Sequence, residues 1–430
     1  MNERNESFLI EGNLYLPFFN RWGELSYKAE AAFTYDPFEI AASSTSGSPV
    51  AFTQSLFIGF LNDSGGRFTY DGEFTLTVIL PEGQELFVRT GMDPFEAWEA
   101  YNAQILPKLS NSSKSSNHLY RMVEYSTWVE QKAAGNDKSQ FFEVLSETFV
   151  DRYLDRLAKL NLPFGKFTID DGWYDKHSET GSGTIEPNKR FPDLKRMARK
   201  IESAGHVPGI WLDLGCVSSR SRYYQEHSDK VKPHSVWGST EVANTEVFYQ
   251  ALAGTQLERQ FRNIFERLID AGFVKFKVDM LYGNKREMKE ILALAHRVAH
   301  EIRGDVELES HIPDIFVSPF CDVVRTNDVL ISADSPWREL TWAHWTVSYY
   351  SAPNHWLNLD HIGGNNPAVS EEDFVSHLNM FERVPGHPVV SLLPDRYSPD
   401  TQKRLKQILH AYENNKHNPD YFINIPKFLG

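Results

Sequence analysis

Two regimes of apolar spacing divide the chain. Up to about residue 92, apolar side chains recur at every second position between turn residues. Leu56, Ile58 and Phe60 lead into a Ser-Gly-Gly turn, and Phe74, Leu76, Val78 and Leu80 repeat the pattern. Period two bounded by Gly and Pro predicts antiparallel strands, here a small sandwich-like domain over residues 1–92. Asp93-Pro94 then predicts a helix start, an N-cap residue followed by Pro at the first helical position. Phe95, Trp98, Tyr101 and Ile105 fall on one face of that helix. The stretch KLSNSSKSSNH, Lys108 to His118, predicts a structureless linker, so 93–118 reads as a helix and a Ser-rich connection.

Beyond residue 118 short apolar runs alternate with longer segments of period 3.6. Eight strand-like runs lie near 122–128, 166–170, 207–212, 274–278, 306–309, 322–325, 355–359 and 388–392. Helical faces separate several of them: Phe149, Tyr153, Leu157 and Leu160; Leu257, Phe261, Ile264, Phe265 and Leu268; Met288, Ile291, Leu292, Ala295 and Val298. Buried strands alternating with helices imply right-handed crossovers. Eight of them predict a TIM (β/α)8 barrel over 119–412, preceded by the antiparallel β-domain and followed by a tail over 413–430. A doubly wound open sheet is the competing arrangement, but no Gly-rich phosphate turn follows any strand.

Composition narrows the function. The 430 residues are 41% apolar and 24% charged, ordinary for a soluble globular protein, and the formal charge of −14 argues against a nucleic-acid partner. No apolar run is long enough for a membrane span, and the polar start MNERNESFLIEG lacks a secretory signal core, so a cytoplasmic location is expected. Cys216 and Cys321 form neither a disulfide framework nor a zinc spacing. Aromatics reach 13%, with ten Trp, a content shared by large cores and sugar-binding clefts.

The residues at the end of each strand are more informative, because a barrel gathers these positions on one rim. The second strand runs into Asp170, Asp171 and Trp173, the third into Trp211 and Asp213, and the fourth into Lys277 and Asp279. The fifth ends in Glu309 and His311, the sixth in Arg325, Asn327 and Asp328, and the seventh in Trp356, Asn358 and Asp360. Any one such carboxylate is most simply a helix cap or loop solvator, and Asp213 and Asp360 stay with that reading. Trp211 and Trp356 are equally compatible with core, His311 with a hydrogen-bonded structural role, and Glu309 with pairing to a barrel Lys. Six of eight strands ending this way is another matter, since such a rim repels itself unless it binds something polar. Lys277 and Asp279 are two apart on one strand and face the same way. A cation there keeps Asp279 ionised, as a nucleophile or an electrostatic stabiliser requires, while Asp328 on a different strand can carry a proton. Two such carboxylates are what glycoside cleavage needs; simple ion pairs, Lys277–Asp279 and Arg325–Asp328, are the alternative. His311-Ile-Pro-Asp314, His344 and His355 match no metal spacing, and no HExxH or G-x-S-x-G pattern is present, so no metal is expected.

The order of these motifs resembles glycoside hydrolase family 36, the α-galactosidases and raffinose-synthase-like enzymes. VEYSTWVE sits where that family has its first barrel strand. IDDGWYD, NKRFPDLKRMARKIESAGHVPGIWLDLG, FVKFKVDM, VVRTND and HWLNLD come next in the family's order, so that the resemblance covers roughly residues 95–412. It implies Asp279 as nucleophile, Asp328 as acid/base, Asp170 and Asp171 gripping sugar hydroxyls, Lys277 and Arg325 holding hydroxyls and tuning the nucleophile, Trp211 walling the sugar, and Trp173 packing behind. It further implies a retaining hydrolase of terminal α-galactosides, in oligosaccharides or glycoconjugates, without cofactor. A transglycosidase using the same covalent intermediate and a catalytically degenerate sugar-binding homologue are the alternatives, and self-association into a homo-oligomer is compatible with all three. The chain departs from the family in three places. ESHIPD replaces the Cys-Ser-Gly-Gly segment after the fifth strand, a C-terminal β-domain is missing, and the N-terminal β-region is short.

Overall fold

The computed structural model describes residues 2–19, 25–26, 32–38, 46–63, 65–109, 118–135, 140–233, 248–281, 285–326, 328–353, 355–384 and 386–414. Most of the Ser-rich connection and of the tail lies outside the described residues, as does Asn327.

The N-terminal region is built from antiparallel sheets. One has four strands, in the order Glu3–Leu9, Thr75–Pro81, Arg67–Tyr70, Phe33–Tyr35. A second joins Leu86–Thr90, Leu56–Phe60 and Val50–Phe52, and a short third joins Leu25–Ser26, Phe18–Phe19 and Ser46–Gly47. The alternation expected along Thr75–Pro81 is present, with Leu76, Val78 and Leu80 fully buried. Helix α1 (Pro94–Ile105) starts as expected, Asp93 accepting from the amides of Phe95 and Glu96 with Pro at the first position. Its predicted face is buried, and Trp98 packs 5.5 Å from Phe52 and 5.4 Å from Tyr350 of a barrel helix. Tyr101 lies so close over Gly59 that an added Cβ would meet its ring at 2.5 Å, and its hydroxyl donates to the Phe60 carbonyl. The β-domain core runs on into Ile315, Phe316, Ala343 and Val347 of the barrel, so the two regions share apolar contacts.

The remainder is a closed eight-stranded barrel: β1 (Glu124–Ser126), β2 (Lys166–Ile169), β3 (Val207–Leu212), β4 (Lys275–Val278), β5 (Glu307–Ser310), β6 (Val323–Arg325), β7 (Trp356–His361) and β8 (Gly386–Val390). Each pairs in parallel with the next, and β8 returns to β1 through Glu124 opposite Val389. All eight expected runs are strands of this barrel. Outside it lie α2 (Glu147–Leu160), α3 (Leu194–Ser203), α4 (Thr255–Ala271), α5 (Lys285–Ile302), α6 (Trp337–Ser351), α7 (Glu371–Met380) and α8 (Pro399–Asn414). The β5–β6 connection has only the short 3-10 turn Ser318–Phe320. A three-stranded antiparallel sheet, Cys216–Ser218, Phe248–Ala251 and Val231–Pro233, is inserted between β3 and α4. No helix among the described residues is long and apolar enough to cross a membrane.

The barrel interior is charged rather than apolar. Outward-facing Phe167, Ile169, Phe276, Val278 and Leu308 are buried against the helices. The alternate positions Lys166, Thr168 and Asp170 on β2, Lys275, Lys277 and Asp279 on β4, and Glu307, Glu309 and His311 on β5 share the opposite face, as strand geometry requires. The lower of these positions form one ionic network. Lys166 lies 2.6 Å from Glu307, Lys275 lies 2.5 Å from Glu124 and 3.3 Å from Glu309, and His387 lies 3.4 Å from Glu124. Thr168 donates to Glu124 at 2.7 Å. All of these side chains are essentially inaccessible. Burying such charges costs several kcal/mol each, and only mutual pairing makes the arrangement tenable.

Candidate active site

Above this network, at the C-terminal ends of the strands, lie most of the residues singled out in the sequence. Asp279 follows β4. Its Oδ1 accepts from the Met280 amide at 2.8 Å, and its Oδ2 lies 3.3 Å from the Trp211 indole nitrogen and 3.5 Å from Arg325 Nη2. Arg325 Nη1 lies 2.7 Å from Asp328 Oδ1 and 3.5 Å from Asp360 Oδ1. One guanidinium thus spans the two carboxylates from β4 and from the segment after β6. Their side chains, 19% and 30% exposed, open toward solvent, whereas Asp170 and Asp360 beside them are 2% and 5% exposed.

Lys277 faces the same way as Asp279 but donates to Asp170 Oδ2 at 2.8 Å, and Ser126 donates to the same oxygen at 2.9 Å. The contact expected between Lys277 and Asp279 is therefore redistributed, with Arg325 as the cation nearest Asp279. Burial alone would raise the Asp279 carboxyl, but the cations around it, Arg325 foremost and then Lys277, hold it well below the usual carboxylate range. Asp170 is also held ionised, burial being outweighed chiefly by Lys277. Asp171 pairs with Lys176, yet burial pushes its carboxyl up to about 6.

Asp360 is not a cap. A register slip in β7 between Asn358 and His361 and a left-handed backbone (φ 63°) turn it toward Arg325 and Asp328. Met280, next to Asp279, is also left-handed (φ 60°). Such conformations cost about 1–3 kcal/mol each and concentrate where a side chain must be aimed. Asp328 and Asp360 lie close together against the same Arg325 nitrogen. Burial and its neighbour push Asp360 well above its ordinary range, while Arg325 holds Asp328 down against burial. The pair titrates as a unit that keeps one proton.

Other expected residues are placed differently. Trp211 is only 2% exposed and carries Lys176 over its ring at 4.6 Å, so it backs Asp279 rather than offering an open wall. Trp173 is fully buried and donates to the Trp211 carbonyl at 2.8 Å, a packing position as expected. Trp356 begins β7 and stacks on Tyr120 at 3.6 Å, at the opposite end of the barrel from the rim. Glu309 lies below the rim, between Lys275 and Asn358. Asp213 is buried with Ser182 donating to it at 2.6 Å, and burial pushes its carboxyl up to about 7. His311 stands 3.7 Å from Asp279, and its Nε2 accepts from the Leu281 amide, which makes it a neutral imidazole with the proton on Nδ1. Burial lowers it to about 4.

Two participants carried no signal in the sequence. Asn365, beyond β7, donates to Asp328 Oδ2 at 2.7 Å and itself accepts from Trp128 and Lys132. Lys176 reaches Asp171 from the loop after β2. Asp328, Asp360 and His361 are close enough to surround an ion, but Arg325 already lies against both carboxylates, so a guanidinium supplies the positive charge there.

No family model matches the chain. α-Galactosidase 1 of Pediococcus pentosaceus is 26% identical over 130 residues, 28% of this chain and 17% of that protein's length. Among solved structures, an α-galactosidase from Thermus thermophilus in complex with stachyose superposes with a TM-score of 0.67 at 17% identity, covering 95% of this chain and 96% of that one. The family 36 α-galactosidase AgaA from Geobacillus stearothermophilus gives 0.61 at 12% identity over 95% and 62% of the two chains. The chain therefore has the fold of the family 36 α-galactosidases, a (β/α)8 barrel carrying an N-terminal antiparallel β-domain.

Proposed function

We propose that the protein is a retaining glycoside hydrolase of terminal α-galactosides. The observation that carries this reading is the pair Asp279 and Asp328, partly exposed on either side of the Arg325 guanidinium at the C-terminal rim. In this reading the Asp279 carboxylate, kept anionic by Arg325, attacks the anomeric carbon. The bond from that carbon to the glycosidic oxygen breaks, and the oxygen takes a proton from Asp328. A glycosyl ester on Asp279 results. Asp328, now a carboxylate, removes a proton from water as the water attacks the same carbon, and the ester bond to Asp279 breaks.

The buried Asp360 holds a proton close to Asp328, and passing it to Asp328 arms the acid. Asp170 and Asp171, with Lys277 and Lys176 beside them, supply ionic acceptors and donors for sugar hydroxyls. Trp211 fixes the orientation of Asp279, and His311 stands beside the nucleophile, 3.7 Å away. A cytoplasmic setting is part of the proposal, supported by two cysteines buried as free thiols.

The test is an assay of aryl α-galactoside, α-glucoside and α-N-acetylgalactosaminide, with the first-formed sugar followed by proton NMR. Turnover of the galactoside with the α-anomer released first supports the proposal. Turnover of none, or release of the β-anomer, overturns it.

A further inference from the structure

A second cluster lies at the other end of the barrel. His296 and His300 are one turn apart on α5, so their rings share a face, with centroids 4.3 Å apart. Both turn toward Asp322, the residue before β6. His300 Nε2 lies 3.0 Å from Asp322 Oδ2, and His296 Nε2 lies 3.8 Å from Asp322 Oδ1. The Leu308 amide donates to Asp322 Oδ2 at 2.8 Å and fixes the carboxylate.

The tautomer of His300 follows from its other nitrogen. Nδ1 lies 3.3 Å from the Gly304 carbonyl, which can only accept, so Nδ1 carries a proton and Nε2 is the nitrogen that faces the carboxylate. At 3.0 Å from the carboxylate oxygen, Nε2 needs either a second proton or a metal cation between the two atoms. An imidazole whose non-ligating nitrogen donates to a backbone carbonyl is how metal-binding His is commonly held. In the two other groups of close carboxylates and imidazoles, Lys or Arg supplies the charge: Arg325 at the rim, Lys166 and Lys275 in the lower barrel. The contacts described for Asp322 include no such side chain; it meets two imidazoles and a backbone amide.

We propose that His296, His300 and Asp322 bind a divalent transition-metal ion of the zinc class. The three ligand atoms lie within 4.8 Å of one another. Metal–ligand bonds of roughly 2.0–2.2 Å therefore require only a short inward movement of the half-buried imidazoles. His296 and His300 also line an open cleft of about 890 Å³ between α4 and α5, bordered by Glu258, Glu290 and Glu301. The cleft leaves the fourth position of a tetrahedral ion to water or to a small ligand. Two imidazoles with one carboxylate suit zinc or cobalt better than magnesium or calcium. The site is distinct from the rim and does not depend on the hydrolase reading.

The test uses the full chain, stripped with chelator and titrated with Zn2+ alone by calorimetry, then with Co2+ as an absorption probe. One equivalent of zinc is expected, with tetrahedral cobalt bands and a higher Tm in zinc. His296→Gln and His300→Gln, at part-exposed positions, are each expected to weaken zinc at least ~10-fold and to abolish the Tm gain while keeping the wild-type circular dichroism. Asp279→Ala is expected to bind zinc as wild type does. No stoichiometric uptake, as a proton-linked His300–Asp322 pair would give, overturns the proposal, and so does uptake that both Gln variants retain.

Discussion

The lower and upper halves of the barrel interior use the same residue types to different ends. Below, Glu124, Lys166, Lys275, Glu307 and Glu309 close on one another, and none reaches solvent. Above, Arg325 is shared among Asp279, Asp328 and Asp360, and the first two of these carboxylates remain partly exposed. In the lower network three carboxylates close on two lysines, and burial pushes one of them, Glu307, up to about 7. At the rim Asp279 and Asp328 keep part of their surface open, which on the proposed function is where a polyhydroxylated ligand would complete the hydrogen bonding. The strand pleat links the halves: in Lys275, Lys277 and Asp279 a single alternation runs from sealed network to open site.

Crossed substitutions separate the two halves. The largest effect is expected for Asp279→Ala, which should lower kcat on an aryl α-galactoside by roughly 10^4–10^6-fold while leaving the urea unfolding midpoint near that of wild type. Lys275→Met should do the reverse. It removes the nearest cation from Glu124 and Glu309 and should cost about 3–5 kcal/mol in urea unfolding, with kcat per folded molecule little changed. If Lys275→Met removed turnover without loss of stability, the division between halves would fail. Asp328→Asn should follow, with a loss of about 10²–10⁴-fold on substrates with poor leaving groups and a smaller loss on activated aryl substrates, measured as kcat/KM across a leaving-group series.

The barrel is legible in the sequence because its outward positions keep the apolar run that helices cover: Phe167 and Ile169, Phe276 and Val278, Leu308. The chemistry of the rim is legible because Asp279, Asp328, Arg325 and Asp170 directly succeed or close those runs. The sealed network is not. A charged residue inside a strand looks the same whether it meets a partner on a neighbouring strand or the solvent, and the two shortest pairs here, Lys166 with Glu307 and Lys275 with Glu124, join residues more than 100 apart. Asp360 reads as a cap because the bulge that turns it inward leaves no mark in composition. Trp356 reads as a rim residue although it starts its strand, since aromatic identity says nothing about which end of the barrel it occupies. Asn365 sits in a loop, and only the closure of the barrel brings it to Asp328.

Smaller effects sharpen the electrostatics. Burial raises Asp213 and Glu307 to about 7 and Asp171 to about 6. A carboxyl raised on folding contributes stability below its unfolded value, near 4, that is lost as pH rises through the folded value. Asp279 and Glu124 are depressed, so their contribution is lost as pH falls below about 4. Thermal stability should therefore peak in mild acid and decline toward pH 7. Asp213→Asn should flatten that decline in a Tm-versus-pH series, and an unchanged slope would show that Asp213 does not set it. The smallest effect is expected at His311, where His311→Ala should open space beside Asp279 and raise kcat/KM for an aryl α-N-acetylgalactosaminide relative to the galactoside by a few-fold, about 1 kcal/mol or less.

The central claim is that Asp279 is the nucleophile of an α-galactoside-cleaving site. It is tested most directly by chemical rescue of Asp279→Gly with azide on an activated aryl α-galactoside. Without azide the variant should be inert. With azide, attack on the anomeric carbon from the face vacated by the carboxylate should release the phenol and yield β-galactosyl azide. Wild-type-like turnover by Asp279→Gly without azide, or a correctly folded variant that azide does not revive, would contradict it.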